Sequence, residues 1–196
     1  MISIAITGGI GSGKSYVSNW LMEQNIPIYN ADNEAKRLML SDVEIRKGLI
    51  GLLGEEVYIN GYLNKDLLAS FLFANPSNAA QINAIVHPRV KVDFLRWLKL
   101  QAAHEIVGLE CAILYEAGFE DTVDKVVMIY APEELRIKRA MKRDNASEEQ
   151  IKARIAAQMS DEEKCRKADY IIQNDEKSAL FPQLMSLITQ IKAGKQ

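Results

Sequence analysis

Gly8-Gly9-Ile10-Gly11-Ser12-Gly13-Lys14-Ser15 has the form G-x-x-x-x-G-K-S, the spacing of a phosphate-binding loop. Glycines at these places let successive backbone N–H groups converge on an anion with no Cβ in the way. Lys14 supplies a point charge for the β- and γ-phosphates, and Ser15 a hydroxyl for Mg²⁺. The residues read as holding the triphosphate are therefore Gly9, Gly11, Ser12, Gly13, Lys14 and Ser15.

Further groups could add chemistry. Asp32 closes Asn30-Ala31-Asp32, at the end of a second apolar run; a carboxylate there can take a proton from an attacking hydroxyl, or simply cap the helix that follows. Glu110 interrupts the apolar stretch Gly108 to Leu114, where a carboxylate is costly unless paired or near a metal. It suits a Walker B role, holding water on Mg²⁺; its alternative is a structural partner for a cation. Arg136, Lys138, Arg139, Lys142 and Arg143 crowd one helix, with Arg154 beyond. Arg139 and Arg143, four apart, share a face, which is either a solvated surface or a lid that neutralises charge on a moving phosphoryl group. His87, before Pro88, reads as punctuation at a helix start. Neither histidine belongs to a metal cluster.

The elements that must position these groups alternate short apolar runs with longer helical ones, the pattern of an α/β chain with a mostly parallel sheet. Strands are expected at Ile2–Thr7, Ile26–Tyr29, Glu105–Leu114, Lys125–Tyr130 and Asp169–Gln173. A helix over Tyr16–Gln24 follows the glycine loop and aims its dipole at the phosphates. Pro132 fits the first position of a helix running from Glu133 to about Arg143; Ser147-Glu148-Glu149-Gln150 is a capping box opening another; Ser178 suits the cap of a last helix through Lys192. About seventy residues from Asp32 to His104 are too long for a simple crossover and read as a helical insertion. The expected fold is thus a P-loop core of five mostly parallel strands flanked by helices (1–31 and 105–196), with a helical insertion (32–104) and a helical lid (about 138–160).

The 196 residues suit one domain with a small insertion, and 48% hydrophobic content is enough for a sizeable core. A net charge of −2 and no aromatic-basic stripe argue against nucleic-acid binding. No apolar run has the length of a membrane span, and the first strand leaves no room for a cleaved leader. Two cysteines without metal spacing fit a reduced, cytoplasmic setting.

Together the motifs resemble the dephospho-CoA kinases, from Ile2 to about Asn174. Thr7 to Ser15 is close to that family's T-G-G-I-G-S-G-K-S, and Asn30-Ala31-Asp32 is similar to its D-A-D, whose second Asp is held to be the catalytic base. Gly61-Tyr62-Leu63, Phe73-Ala74-Asn75-Pro76 and His87-Pro88 resemble its G-x-L, F-x-x-P and H-P, which makes the insertion the implied acceptor subdomain. Lys138 to Asp144 resembles the lid, with Ile155-Ala156-Ala157-Gln158 after it; Ala168 to Asn174 resembles the segment near the nucleotide base. The resemblance implies ATP-dependent phosphorylation of the ribose 3′-hydroxyl of dephospho-CoA, the last step of coenzyme A synthesis, by a monomer or weak homo-oligomer. Asp32, Lys14 and Arg139 are the implied catalytic groups. Arg139, Arg143, Asn174 and the backbone of Tyr16 are added for ATP; Asp32, His87, Lys65 and Arg154 for dephospho-CoA; Ser15 and, through water, Glu110 for Mg²⁺. The chain departs from the family at Asn30 for Asp, Tyr16 for Thr, Lys65 for Arg, Glu110 and Ala112 for Asp and Pro, and Asp175 for Gly.

Two other readings are weighed. A kinase for another small acceptor, such as a nucleoside monophosphate, shares the loop but not the H-P insertion. A GTP-dependent switch needs N-K-x-D and D-x-x-G; Asn64-Lys65-Asp66 is followed by Leu67, and D-x-x-G is absent from the sequence.

Overall fold

In the computed structural model the described residues are 1–75 and 77–194, with the side chain of Phe73 left aside. Pro76 of the F-x-x-P segment therefore lies outside the described residues. The chain opens with β1 (Ile2–Thr7), α1 (Lys14–Glu23) and β2 (Ile28–Asn30). It continues through α2 (Ala31–Ser41), α3 (Val43–Leu53), the short strands β3 (Tyr58–Ile59) and β4 (Tyr62–Leu63), α4 (Lys65–Ala74) and α5 (Asn78–Leu100). Then follow β5 (Ile106–Glu110), β6 (Lys125–Tyr130), α6 (Glu133–Asp144), α7 (Glu148–Ala156), α8 (Asp161–Lys167), β7 (Tyr170–Gln173) and α9 (Leu180–Ala193). Two compact units result: Met1–Tyr29 with the chain from Leu100 onward, and Asn30–Lys99.

The first unit is built on a five-stranded sheet in the order β2-β5-β1-β6-β7. β1 is parallel to β5 and β6, and β7 to β6. Ile4, Ala5 and Ile6 of β1 are all but inaccessible, because a central parallel strand is covered on both faces. Ile4 and Ile6 share one face with Val127 and Ile129; Val17 and Leu21 of α1 and Leu184, Leu187 and Ile191 of α9 pack on it. Each such side chain contributes about 1.5–3 kcal/mol of hydrophobic burial. α1 ends in a Schellman motif on left-handed Asn25: Asn25 N–H donates to Met22 O at 3.0 Å and Ile26 N–H to Leu21 O at 3.1 Å.

In the second unit Ile82, Val86, Val90 and Phe94 recur every four residues, one buried stripe along α5. Asp42 ties its helices together. Its carboxylate caps α3 by accepting from the Glu44 and Ile45 N–H groups, both at 3.0 Å, and pairs with Arg89 of α5 at 2.8 Å.

Three expectations are corrected. His87 and Pro88 sit inside α5, not at its start; the N–H that Pro88 lacks would have met the Ala84 carbonyl, and since Pro88 and Ala84 are both exposed that carbonyl is open to solvent. The insertion is not wholly helical: Asn60 and Gly61, at φ 51° and 82°, turn the chain between the antiparallel β3 and β4. Ser178 does not cap α9, whose N-cap is Ala179; the Ser178 N–H and hydroxyl turn back to Asp175 at 2.7 and 3.2 Å.

Candidate active site

The loop leaves β1 at its carboxyl end and enters α1 through Gly13, which makes no side-chain cap. Gly11 and Gly13 have φ of +79° and +95°. A Cβ on Gly11 would stand 2.2 Å from the Arg136 carbonyl oxygen, and one on Gly13 2.2 Å from Asn174 Nδ2. Only glycine fits either place. The first turn of α1 carries no acidic residue and begins with Lys14, a cation at the positive end of a helix dipole. That arrangement is unfavourable by itself and is corrected by an anion. Lys14 Nζ donates to the Gly8 and Gly9 carbonyls at 2.8 and 3.2 Å, and so lies along the loop.

Beside Lys14, Ser15 Oγ donates to Glu110 Oε1 at 2.6 Å. Glu110 is the last residue of β5, level with Ile6 of β1, and only 7% exposed. Hydroxyl and carboxylate form a hard-oxygen set suited to Mg²⁺, which keeps several waters and substrate phosphates as ligands. Among the described residues no group of three or more His, Cys, Asp or Glu side chains could hold a metal ion.

On the other side of β1, Asn174 beyond β7 donates from Nδ2 to Ser12 O at 2.8 Å. Arg139 of α6 is held there too, donating to Asn174 O at 3.1 Å and pairing with Glu176 at 3.0 Å. Arg143 and Arg154 come together on Asp144, which accepts from Arg143 Nε at 2.7 Å and Arg154 Nη1 at 2.9 Å. The capping box of Ser147 and Gln150 opens α7 as expected. Arg139, Arg143 and Arg154 thus divide between the Asn174 segment and Asp144.

In the second unit Asp32 occupies the first turn of α2 and is exposed. The cap of that helix is Asn30, whose side chain accepts from the Asn33 N–H at 2.9 Å, so Asp32 does not serve as the cap. His87 is half-buried; burial pushes its pKa down, and the nearby Asp32 carboxylate partly opposes this. These two expected residues are therefore neighbours, although 55 positions separate them in the chain. Lys65 is exposed at the start of α4, which Asn64 caps.

Two further side chains have no individual role in the sequence reading: Arg136 is one of its five clustered cations, and Lys164 goes unnamed. Arg136, 3% exposed, pairs with Asp161 at 2.7 Å and donates to the loop carbonyl of Ile10 at 3.3 Å. Lys164 is wholly buried, donating to Ala112 O at 2.9 Å and pairing with Glu116 at 3.3 Å, just past Glu110. Their signal was hidden in basic helices, where a buried cation and a solvated one look alike; Ser160-x-x-Glu163, the cap of α8, was legible.

A parallel sheet whose central strand runs into this loop, with a hydroxyl and carboxylate beside the lysine, defines a nucleotide-dependent phosphotransferase of the P-loop kinase class. Shikimate kinase from Acinetobacter baumannii shares the fold, with a TM-score of 0.56 at 16% identity, covering 100% of this chain and 95% of that one. Within the class, the chain belongs to the dephospho-CoA kinase family, whose model matches residues 2–179. It is 54% identical over 187 residues to the dephospho-CoA kinase of Bacteroides fragilis, covering 95% of this chain and 91% of that one. It is 38% identical to that of Porphyromonas gingivalis, covering 100% and 96%. The crystal structure of TT1252 from Thermus thermophilus superposes with a TM-score of 0.81 at 31% identity, covering 100% and 98%. The activity is that of a dephospho-CoA kinase, a phosphotransferase acting on an alcohol group.

Proposed function

We propose that the Gly8–Ser15 loop holds the triphosphate of ATP, and that Asp32 activates the ribose 3′-hydroxyl of dephospho-CoA. The observation that carries this is the 2.6 Å bond of Ser15 to buried Glu110 beside Lys14, a hydroxyl–carboxylate pair at the phosphate loop. The 3′-oxygen attacks the γ-phosphorus, the bond to the β,γ-bridging oxygen breaks, and the hydroxyl proton passes to the Asp32 carboxylate. The products are CoA and ADP.

Lys14 and the loop amides orient the β- and γ-phosphates. Ser15 and, through water, Glu110 would hold Mg²⁺, which supplies charge neutralisation between the phosphates. Asn174, the backbone of Tyr16 and the remaining loop glycines complete the ATP site. Arg139, with Arg143 and Arg154, meets charge on the moving group. Their carboxylate partners Glu176 and Asp144 form solvent-facing pairs that are readily exchanged for phosphate. Support for Asp32 is its release from capping and its position just past the carboxyl end of β2, where ligands of parallel sheets bind. His87 beside it, with Lys65 and Arg154, belongs to the acceptor. Among the described residues no helix is long and apolar enough to cross a membrane. We place the enzyme in the cytoplasm as a monomer or weak homo-oligomer, without nucleic-acid partners.

Asp32→Asn tests the assignment. ATP affinity by calorimetry stays within about twofold while turnover falls about 10²-fold or more; near-normal turnover removes Asp32 as the base.

A further inference from the structure

Tyr16 directly follows the metal-side Ser15 and is 57% exposed. It lies against Phe181 in the first turn of α9, with centroids 6.3 Å apart and planes inclined at 50°. Phe181 is itself 44% exposed and leans on Trp20 at 5.8 Å. Two adjoining aromatic rings left open to water at the mouth of a phosphate loop form an apolar surface with a neighbour to bury.

The sheet order says what that neighbour is. Ser15 meets Glu110 on the β5 side of β1, which marks the metal and γ-phosphate end of the loop. Asn174 reaches the loop from the opposite side, beyond β7, and α9 begins only a few residues later. A triphosphate running from the first side to the second delivers its α-phosphate, and the nucleoside attached to it, toward Asn174 and the start of α9. Phe181 stands there and Tyr16 against it.

We propose that the side chains of Tyr16 and Phe181 form an aromatic ledge on which the nucleoside of the bound triphosphate packs. The pair then sets affinity for the nucleoside as distinct from the phosphates. This rests on the loop's reading as a triphosphate site. Every base has a π-face, so the ledge strengthens binding without choosing between bases by hydrogen bonds.

Calorimetric titration with ATP and with inorganic tripolyphosphate, both with Mg²⁺, separates the two contributions. Tyr16→Ala and Phe181→Ala each weaken ATP binding about tenfold, the scale of one base–aromatic stack. Both leave tripolyphosphate affinity within about twofold of the parent, and Tyr16→Phe restores ATP binding. Melting curves establish that these exposed substitutions fold. Equal weakening of both ligands, or unchanged ATP affinity in both variants, overturns the ledge. A parent enzyme that binds neither ligand overturns the triphosphate reading beneath it.

Discussion

Replacing Glu110 by Gln separates a catalytic carboxylate from a structural one. Gln fills the same volume, and its Oε1 can accept the 2.6 Å bond from Ser15, so the substitution removes charge and little else. A hydrogen bond to a charged acceptor is worth about 1.5–3 kcal/mol and a neutral one about 0.5–1.5, a loss of about 1 kcal/mol. At 7% exposure the carboxylate also carries a desolvation cost, and its removal offsets much of that loss. For a chain of this size 1 kcal/mol is about 2–4 °C in Tm, so the midpoint moves by less than about 4 °C. Turnover is affected on a different scale. A group that orients a metal ligand through water is worth about 10–100-fold in activity or metal affinity. The assay is thermal melting beside initial rates of ADP release at saturating ATP and acceptor, across a Mg²⁺ titration. The reasoning is refuted if rates stay within about threefold of the parent at every Mg²⁺ concentration while Tm collapses, the pattern of a purely structural partner.

Other outcomes follow from the same geometry. Asp42→Ala removes a helix cap and a bidentate partner of Arg89 together, about 1 kcal/mol each, and lowers Tm by about 4–8 °C in a melting curve at neutral pH. The Arg89 guanidinium holds the Asp42 carboxyl below its ordinary value of 3.8. Its stabilisation is therefore present above that value and is lost as pH falls through the lower folded value, so the parent loses more stability than the variant on acid titration. Lys164→Met strands the Ala112 carbonyl and parts Glu116 from its cation, costing about 3 kcal/mol. Urea unfolding reads that loss directly; a cost under about 1 kcal/mol would show the buried pair to be dispensable.

The sheet was legible because a parallel core strand is apolar on both faces. β1 and β6 coincide with the continuous runs Ile2–Thr7 and Lys125–Tyr130. Boundaries drifted where a run carries on past its last ladder bond: Cys111 N–H still donates to Ile6 O at 3.1 Å, but Ala112 to Leu114 continue the apolar run beyond the sheet. The β3–β4 hairpin was overlooked although Asn60-Gly61 is a strong turn signal, because two-residue strands give no periodicity. The phosphate loop was legible as a motif because glycine conformation and spacing are local properties. The bond of Ser15 to Glu110 joins residues 95 positions apart, and the sequence could only argue for it from the cost of burying a charge. Asp32 and His87 were found separately, but that one acts on the other's titration is a property of the packed α2 and α5. Arg136 was seen as one of five cations on a helix; which of them turns inward under the loop depended on the partner Asp161, from a helix that was not anticipated.

The most direct test is an acceptor panel: ADP release with ATP and Mg²⁺ in the presence of dephospho-CoA, shikimate, nucleoside monophosphates or water alone, with the product identified by mass. Dephospho-CoA is expected to stimulate ADP release far above the others and to gain one phosphate on the ribose 3′-oxygen. ADP release that dephospho-CoA does not stimulate, or a phosphate transferred to another acceptor in its place, would contradict the account.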